Sequence, residues 1–126
     1  MVLSSIHITE PDVLRFTHPL QDVIAKENDR SCMFECSLSE PYVRVEWRST
    51  AGAKGDTAGY ETVLNEGDKY RMNSEGKHHF LRISDVKMED TGSYLCVVVG
   101  QDDKQSSADL VVEGTDYVLH MLLCRF

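Results

Sequence analysis

Asp90-Thr91-Gly92-Ser93-Tyr94-Leu95-Cys96 is the stretch that decides the fold of this chain. Tyr94 and Cys96 stand two residues apart, which is the spacing of side chains that share one face of a β-strand. Asp90 and Gly92 are turn formers and precede that strand directly. The stretch therefore predicts a turn that leads into a strand with one buried face.

The same two-residue periodicity recurs on both sides of this stretch. Apolar residues alternate with polar ones in four further runs: Cys32, Phe34, Cys36 and Leu38; Val43, Val45 and Trp47; Leu81 and Ile83; Ala108, Leu110 and Val112. Weaker strand patterns lie at 13–16, 21–26 and 69–73. Residues 49–68 hold four glycines and predict mostly loop, with a short edge strand near 60–64. Seven or more short strands separated by turn residues predict an all-β antiparallel sandwich or barrel.

Length and charge exclude several classes of protein. The 126 residues suffice for one domain with one core. Because 21 acidic residues outnumber 13 basic ones, the formal net charge is −8. A chain this acidic is repelled by phosphate, so neither a nucleic-acid nor a membrane-surface partner is expected. No apolar run reaches the roughly 18 residues of a membrane span.

Three absences favour a reducing environment. The first residues carry no signal-peptide pattern. The four cysteines are too few for a disulfide scaffold. None of the three asparagines, Asn28, Asn65 and Asn73, starts an N-glycosylation site. The sequence therefore favours a cytoplasmic location, and an extracellular one stays open as the alternative.

The spacing of Cys36, Trp47 and the Asp90-x-Gly92-x-Tyr94-x-Cys96 motif resembles the immunoglobulin fold. The resemblance implies a two-sheet Greek-key sandwich in which Cys36 and Cys96 lie on facing sheets with the Trp47 ring between them. It also implies that Tyr94 forms a tyrosine corner, in which the hydroxyl bonds back to upstream backbone. The expected structural core consists of Cys36, Trp47, Leu81, Ile83, Asp90, Tyr94, Cys96 and Leu110.

A finer resemblance is to the intermediate-set (I-set) domains of muscle and cytoskeletal proteins. The segments at 69–71, 75–86 and 90–94 resemble myosin-binding protein C, titin, obscurin and the muscle protein that carries immunoglobulin-like and fibronectin type III domains. Leu20-Gln21-Asp22-Val23 resembles the entry of those domains, with Pro19 where the first strand changes sheets. The resemblance covers about 13–113 and departs from the family at 51–59, an expected insertion.

The composition of the flanking residues predicts a leader or linker at 1–11 and an apolar tail or linker start at 115–126, and this resemblance implies a domain at 12–114 between them. It implies a non-enzymatic module that supports and docks proteins of a filament or Z-disc lattice in the sarcomere or cytoskeleton. Two alternatives stay open. One is an adhesion or receptor domain with an obligate Cys36–Cys96 disulfide, and the other is a regulatory domain of an intracellular muscle kinase.

The cysteines are expected to be structural. Cys36 and Cys96 form either a disulfide or a pair of buried thiols, and the reduced pair is favoured for a cytosolic protein. Cys32 shares the strand face of Cys36 and is expected to be a buried thiol rather than a reactive one. A spacing of four residues along a strand places these two thiols about 13 Å apart, too far to share one zinc ion.

No cofactor, metal or catalytic site is expected. The pair Glu89-Asp90 suits turn chemistry, and His78 and His79 alternate faces of a strand, so only one of them points outward. No hydrolase or phosphate-binding motif occurs. Two exposed loops are the expected partner-binding elements. They are the inserted loop with Lys54 and Asp56, and the hairpin predicted at 100–104 with Asp102 and Asp103.

Overall fold

The alternating runs form strands in a computed structural model that describes residues 13–51 and 60–114. Predicted features at 1–11, 52–59 and 115–126 lie outside the described residues. The strands are β1 (Phe16–His18), β2 (Val23–Lys26), β3 (Ser31–Leu38), β4 (Val45–Ser49), β5 (Thr62–Val63), β6 (Tyr70–Glu75), β7 (His78–Ser84), β8 (Gly92–Val98) and β9 (Gln101–Glu113). A 3₁₀ turn at Met88–Asp90 precedes β8.

The strands form two sheets, which confirms the predicted all-β sandwich. One sheet has the order β1-β3-β7-β6 and the other the order β2-β9-β8-β4-β5. Strands β1 and β2 follow each other in the chain but belong to different sheets, and Pro19 lies at the crossover. Proline suits this break because it has no backbone N–H to donate to a ladder.

Two details of the ladders differ from the predicted pattern. The pairing of β2 with β9 is parallel, whereas every other described pairing is antiparallel.

The turn between β8 and β9 is shorter than predicted, because Val99 and Gly100 form it and β9 begins at Gln101. Gly100 takes φ +89°, a left-handed backbone that favours glycine, so a tight turn closes there. Asp102 and Asp103 therefore lie at the irregular start of β9, between the pairs Val98–Gln101 and Val97–Gln105.

The core fills the space between the two sheets. Residues from both sheets form one buried cluster, namely Leu20, Ala25, Phe34, Cys36, Trp47, Leu81, Ile83, Val86, Tyr94, Cys96, Ala108, Leu110 and Val112. A smaller cluster of Leu14, Leu38 and Val98 closes one end of the sandwich. Strand β8 is buried on both faces from Tyr94 to Val98. This differs from the predicted strand, which has only one buried face.

Candidate functional site

The two cysteines and the tryptophan lie together in the core. Cys36 on β3 is 2% exposed, Cys96 on β8 is fully buried and Trp47 on β4 is 3% exposed. Trp47 pairs directly with Cys96 across the β4–β8 ladder. Cys36 and Cys96 are free thiols, and the hydrogen bond between them, together with burial, raises the pKa of Cys96. A thiol held protonated in this way packs as a small apolar group and is a poor nucleophile.

Asp90 is a polar anchor at the edge of this core. Asp90 is 4% exposed, and its Oδ2 accepts hydrogen bonds from Lys69 Nζ at 2.7 Å and from the Lys87 backbone N–H at 2.8 Å. The Tyr94 hydroxyl donates to the Asp90 carbonyl at 2.7 Å, which is the bond expected of a tyrosine corner. Burial, with Tyr70 as the second cause, raises the pKa of Tyr94. These bonds tie the start of β6 and the 3₁₀ turn to β8.

The other predicted core residues take inward positions. Leu81 and Ile83 on β7 and Leu110 on β9 are fully buried members of the main cluster. Cys32 is half-buried at the edge of the same cluster, and burial raises its pKa to about 11. That thiol is therefore protonated at neutral pH.

Of the two adjacent histidines, His79 is the one that points inward. It pairs with Cys36 across the β3–β7 ladder and is fully buried. Its Nδ1 lies 2.7 Å from Ser74 Oγ, whereas its Nε2 has no hydrogen-bond partner among the described residues. The alternation of β7 predicts this inward position, because His79 shares the inward face with Leu81 and Ile83.

The loop residues have different positions. Lys54 and Asp56 lie outside the described residues. Asp102 is exposed, and its Oδ1 lies 3.7 Å from Arg48 Nη2. Arg48 also contacts Glu46 Oε2 at 2.6 Å and Glu61 Oε1 at 3.5 Å, so one arginine on the outer face of the five-stranded sheet is surrounded by three carboxylates.

The described residues show little that resembles an enzyme or metal centre. They contain no group of three His, Cys, Asp or Glu side chains placed to hold a metal ion. Ser37 Oγ lies 2.7 Å from His78 Nδ1 beside an open groove of about 480 Å³. In the described part of the chain, no carboxylate bonds to this imidazole to orient it as a general base. Within the same residues, no helix is long and apolar enough to cross a bilayer.

Comparisons with known proteins point to one family. A sequence model described as "Immunoglobulin I-set domain" matches residues 14–112. The cardiac-type myosin-binding protein C of Gallus gallus is 31% identical and that of Mus musculus 32% identical, over 90% and 87% of this chain. The chain spans only 9% and 8% of those two relatives, so it corresponds to a small part of each.

Solved structures give the same fold. The I9–I11 tandem from titin is 30% identical with a TM-score of 0.65, and the match covers 81% of this chain and 34% of that one. Domain I10 from titin is 25% identical with a TM-score of 0.65, over 80% of this chain and 99% of that one. From the described sandwich, its buried cysteine–tryptophan core and the matching sequence model, we conclude that this chain belongs to the immunoglobulin I-set family.

Proposed function

We propose that this chain is a non-enzymatic module that supports and docks proteins within a sarcomeric or cytoskeletal multidomain protein. One observation carries the proposal: the chain is similar along about nine-tenths of its length to part of a muscle protein named for binding myosin. The proposed partners are proteins of a filament or Z-disc lattice, and the proposed location is the cytoplasm of muscle cells. Nucleic acid, membrane, metal and cofactor are not among the proposed ligands.

The physical basis of this role is a rigid sandwich whose faces and loops are available to partner proteins. In this proposal residues 12–114 form the domain, and 1–11 and 115–126 serve as linking segments. The predicted core residues, together with the Lys69–Asp90 ion pair, hold the sheets in place. A domain fixed in this way transmits force and offers preformed faces and loops, so binding costs little conformational entropy. The loop containing Lys54 and Asp56, and the start of β9 with Asp102 and Asp103, are proposed contact elements.

Targeting in muscle cells tests this function. A fluorescent fusion of the chain, expressed in differentiated myotubes, is expected to show striations in register with the sarcomere. The matched control is the Trp47→Ala variant, which removes the central core side chain and is expected to lose the pattern with the fold. A wild-type fusion that is folded and soluble but spread evenly through the cell would contradict the proposed function.

A further inference from the structure

Two arginines face each other on the outer side of the four-stranded sheet. Arg71 on β6 and Arg82 on β7 are direct partners in the antiparallel ladder, and both are exposed. Their neighbours along the strands, Met72, Leu81 and Ile83, belong to the core or pack against it, so the arginines project to the opposite, solvent side. Like charges directly opposite each other across two strands destabilise a sheet. The pairing of Arg71 with Arg82 therefore destabilises the sheet, and the fold itself does not require it.

Neither arginine forms an ion pair with a described residue, although Glu35 is exposed on the same face and pairs with Phe80, diagonal to Arg82. The ion pairs among the described residues involve Arg48, Lys69 and Lys87, and none includes Arg71 or Arg82. Neither guanidinium hydrogen-bonds to a described side chain. The chain has 21 acidic and 13 basic residues, so neutralising partners are abundant in its composition. Two adjacent guanidinium groups that form no ion pair leave ten N–H donors available to an external acceptor.

Apolar surface adjoins the two arginines. Met33 on β3 pairs with Arg82 from the other side and is 52% exposed. Phe80 occupies the next outward position on β7 and is half-buried. We call Met33, Arg71, Phe80 and Arg82 the arginine face. Arginine beside exposed methionine and aromatic groups is a composition enriched in protein interfaces.

We propose that the arginine face docks a carboxylate-rich segment of a partner protein. Charge complementarity selects this occupant, because each planar guanidinium can hold a carboxylate through two parallel hydrogen bonds. Met33 and Phe80 supply an apolar contact beside those bonds. The inference rests on the proposed docking function and specifies its surface and the chemistry of its partner.

Peptide binding tests this inference without muscle cells. The probe is a labelled synthetic peptide of repeated Glu-Glu-Leu units, and the control peptide has glutamine in place of glutamate. At low ionic strength we expect the acidic peptide to bind and the glutamine peptide not to bind. Arg71→Glu and Arg82→Glu are each expected to weaken binding about tenfold or more, which corresponds to about 1.4 kcal/mol. Added salt is expected to weaken wild-type binding as well, since exposed charges are screened.

Two controls separate docking from structural or general charge effects. Lys77→Glu makes the same charge change in the β6–β7 turn, away from the arginine face, and is expected to keep affinity within about twofold. Arg71→Glu is expected to raise the urea midpoint, because it replaces a repulsive cross-strand pair by an attractive one. A variant that is more stable yet binds less cannot owe its loss of binding to misfolding.

Three results would overturn the inference. The first is failure of the wild-type chain to bind the acidic peptide. The second is a loss of binding in Lys77→Glu that is as large as the loss in Arg71→Glu. The third is self-association of the wild-type chain in sedimentation that Arg71→Glu abolishes, because the occupant is then a second copy. Striated targeting is measured separately, so failure of the proposed function and failure of this inference give different results.

Discussion

Trp47 is the residue on which the core depends most. It is the single tryptophan of the chain and is 3% exposed between the sheets. Trp47→Ala leaves a large cavity and is expected to lower the free energy of unfolding by about 3–5 kcal/mol. Urea denaturation followed by circular dichroism measures this change, since the variant lacks the indole fluorophore. The control is Tyr42→Ala, which removes an aromatic ring that is 92% exposed and is expected to change stability by about 0.5 kcal/mol or less. A wild-type urea midpoint for Trp47→Ala would place the ring outside the core.

His79 gives the fold a predictable sensitivity to acid. Burial, and then the nearby His78, hold the pKa of His79 below its ordinary value of 6.5. Below that pH the unfolded chain takes up a proton that the folded chain resists, so stability falls as the pH drops toward the lowered folded-state pKa. His79→Leu removes this titration. The slope of the free energy of unfolding against pH is therefore expected to be smaller in the variant, by up to about 1.4 kcal/mol per pH unit. The measurement is the urea midpoint at several pH values below neutral. An unchanged pH dependence in His79→Leu would show that other groups cause the acid sensitivity.

At the scale of elements, the tyrosine corner joins the 3₁₀ turn to β8. Tyr94→Phe keeps the buried ring but removes the hydroxyl that bonds to the Asp90 carbonyl, so we expect a loss of about 1–2 kcal/mol. The matched control is Tyr70→Phe, because the half-buried Tyr70 hydroxyl has no hydrogen-bond partner among the described residues. Chemical denaturation of the two variants side by side measures the difference. Equal stabilities would mean that the bond to Asp90 contributes nothing net.

Sequence patterns predict elements of this fold better than they predict its pairings. Alternation locates the strands because each has one face toward the core, and it gives the edge strand at Thr62–Val63 within the predicted 60–64. The β8–β9 turn is misplaced by the sequence analysis, since the polar residues Asp102 and Asp103 resemble a loop but lie in an irregular strand start. The opposed arginines could not be predicted either, because Arg71 and Arg82 meet only through the register of β6 against β7. Residues whose roles come from one strand's own alternation are predictable, and those that depend on register are not.

The whole molecule is expected to fold without a disulfide. Cys36 and Cys96 are buried free thiols within a cluster of thirteen buried residues that spans both sheets, so apolar packing joins the two sheets without a covalent link. We therefore expect one cooperative unfolding transition in the presence of dithiothreitol. Oxidation of the pair would close a loop of about 60 residues and add roughly 4 kcal/mol in the loop-entropy model. The measurement is the urea midpoint of the same preparation under reducing and oxidising conditions.

A double variant separates the thiols from the rest of the fold in this experiment. Cys36→Ala with Cys96→Ala loses some buried volume, so its midpoint is expected to fall below that of the reduced wild type. That midpoint is also expected to be the same with and without dithiothreitol, since the cross-link can no longer form. Loss of the folded state whenever the wild-type chain is reduced would instead support an extracellular domain with an obligate disulfide, because the secretory pathway is where such bonds form and persist.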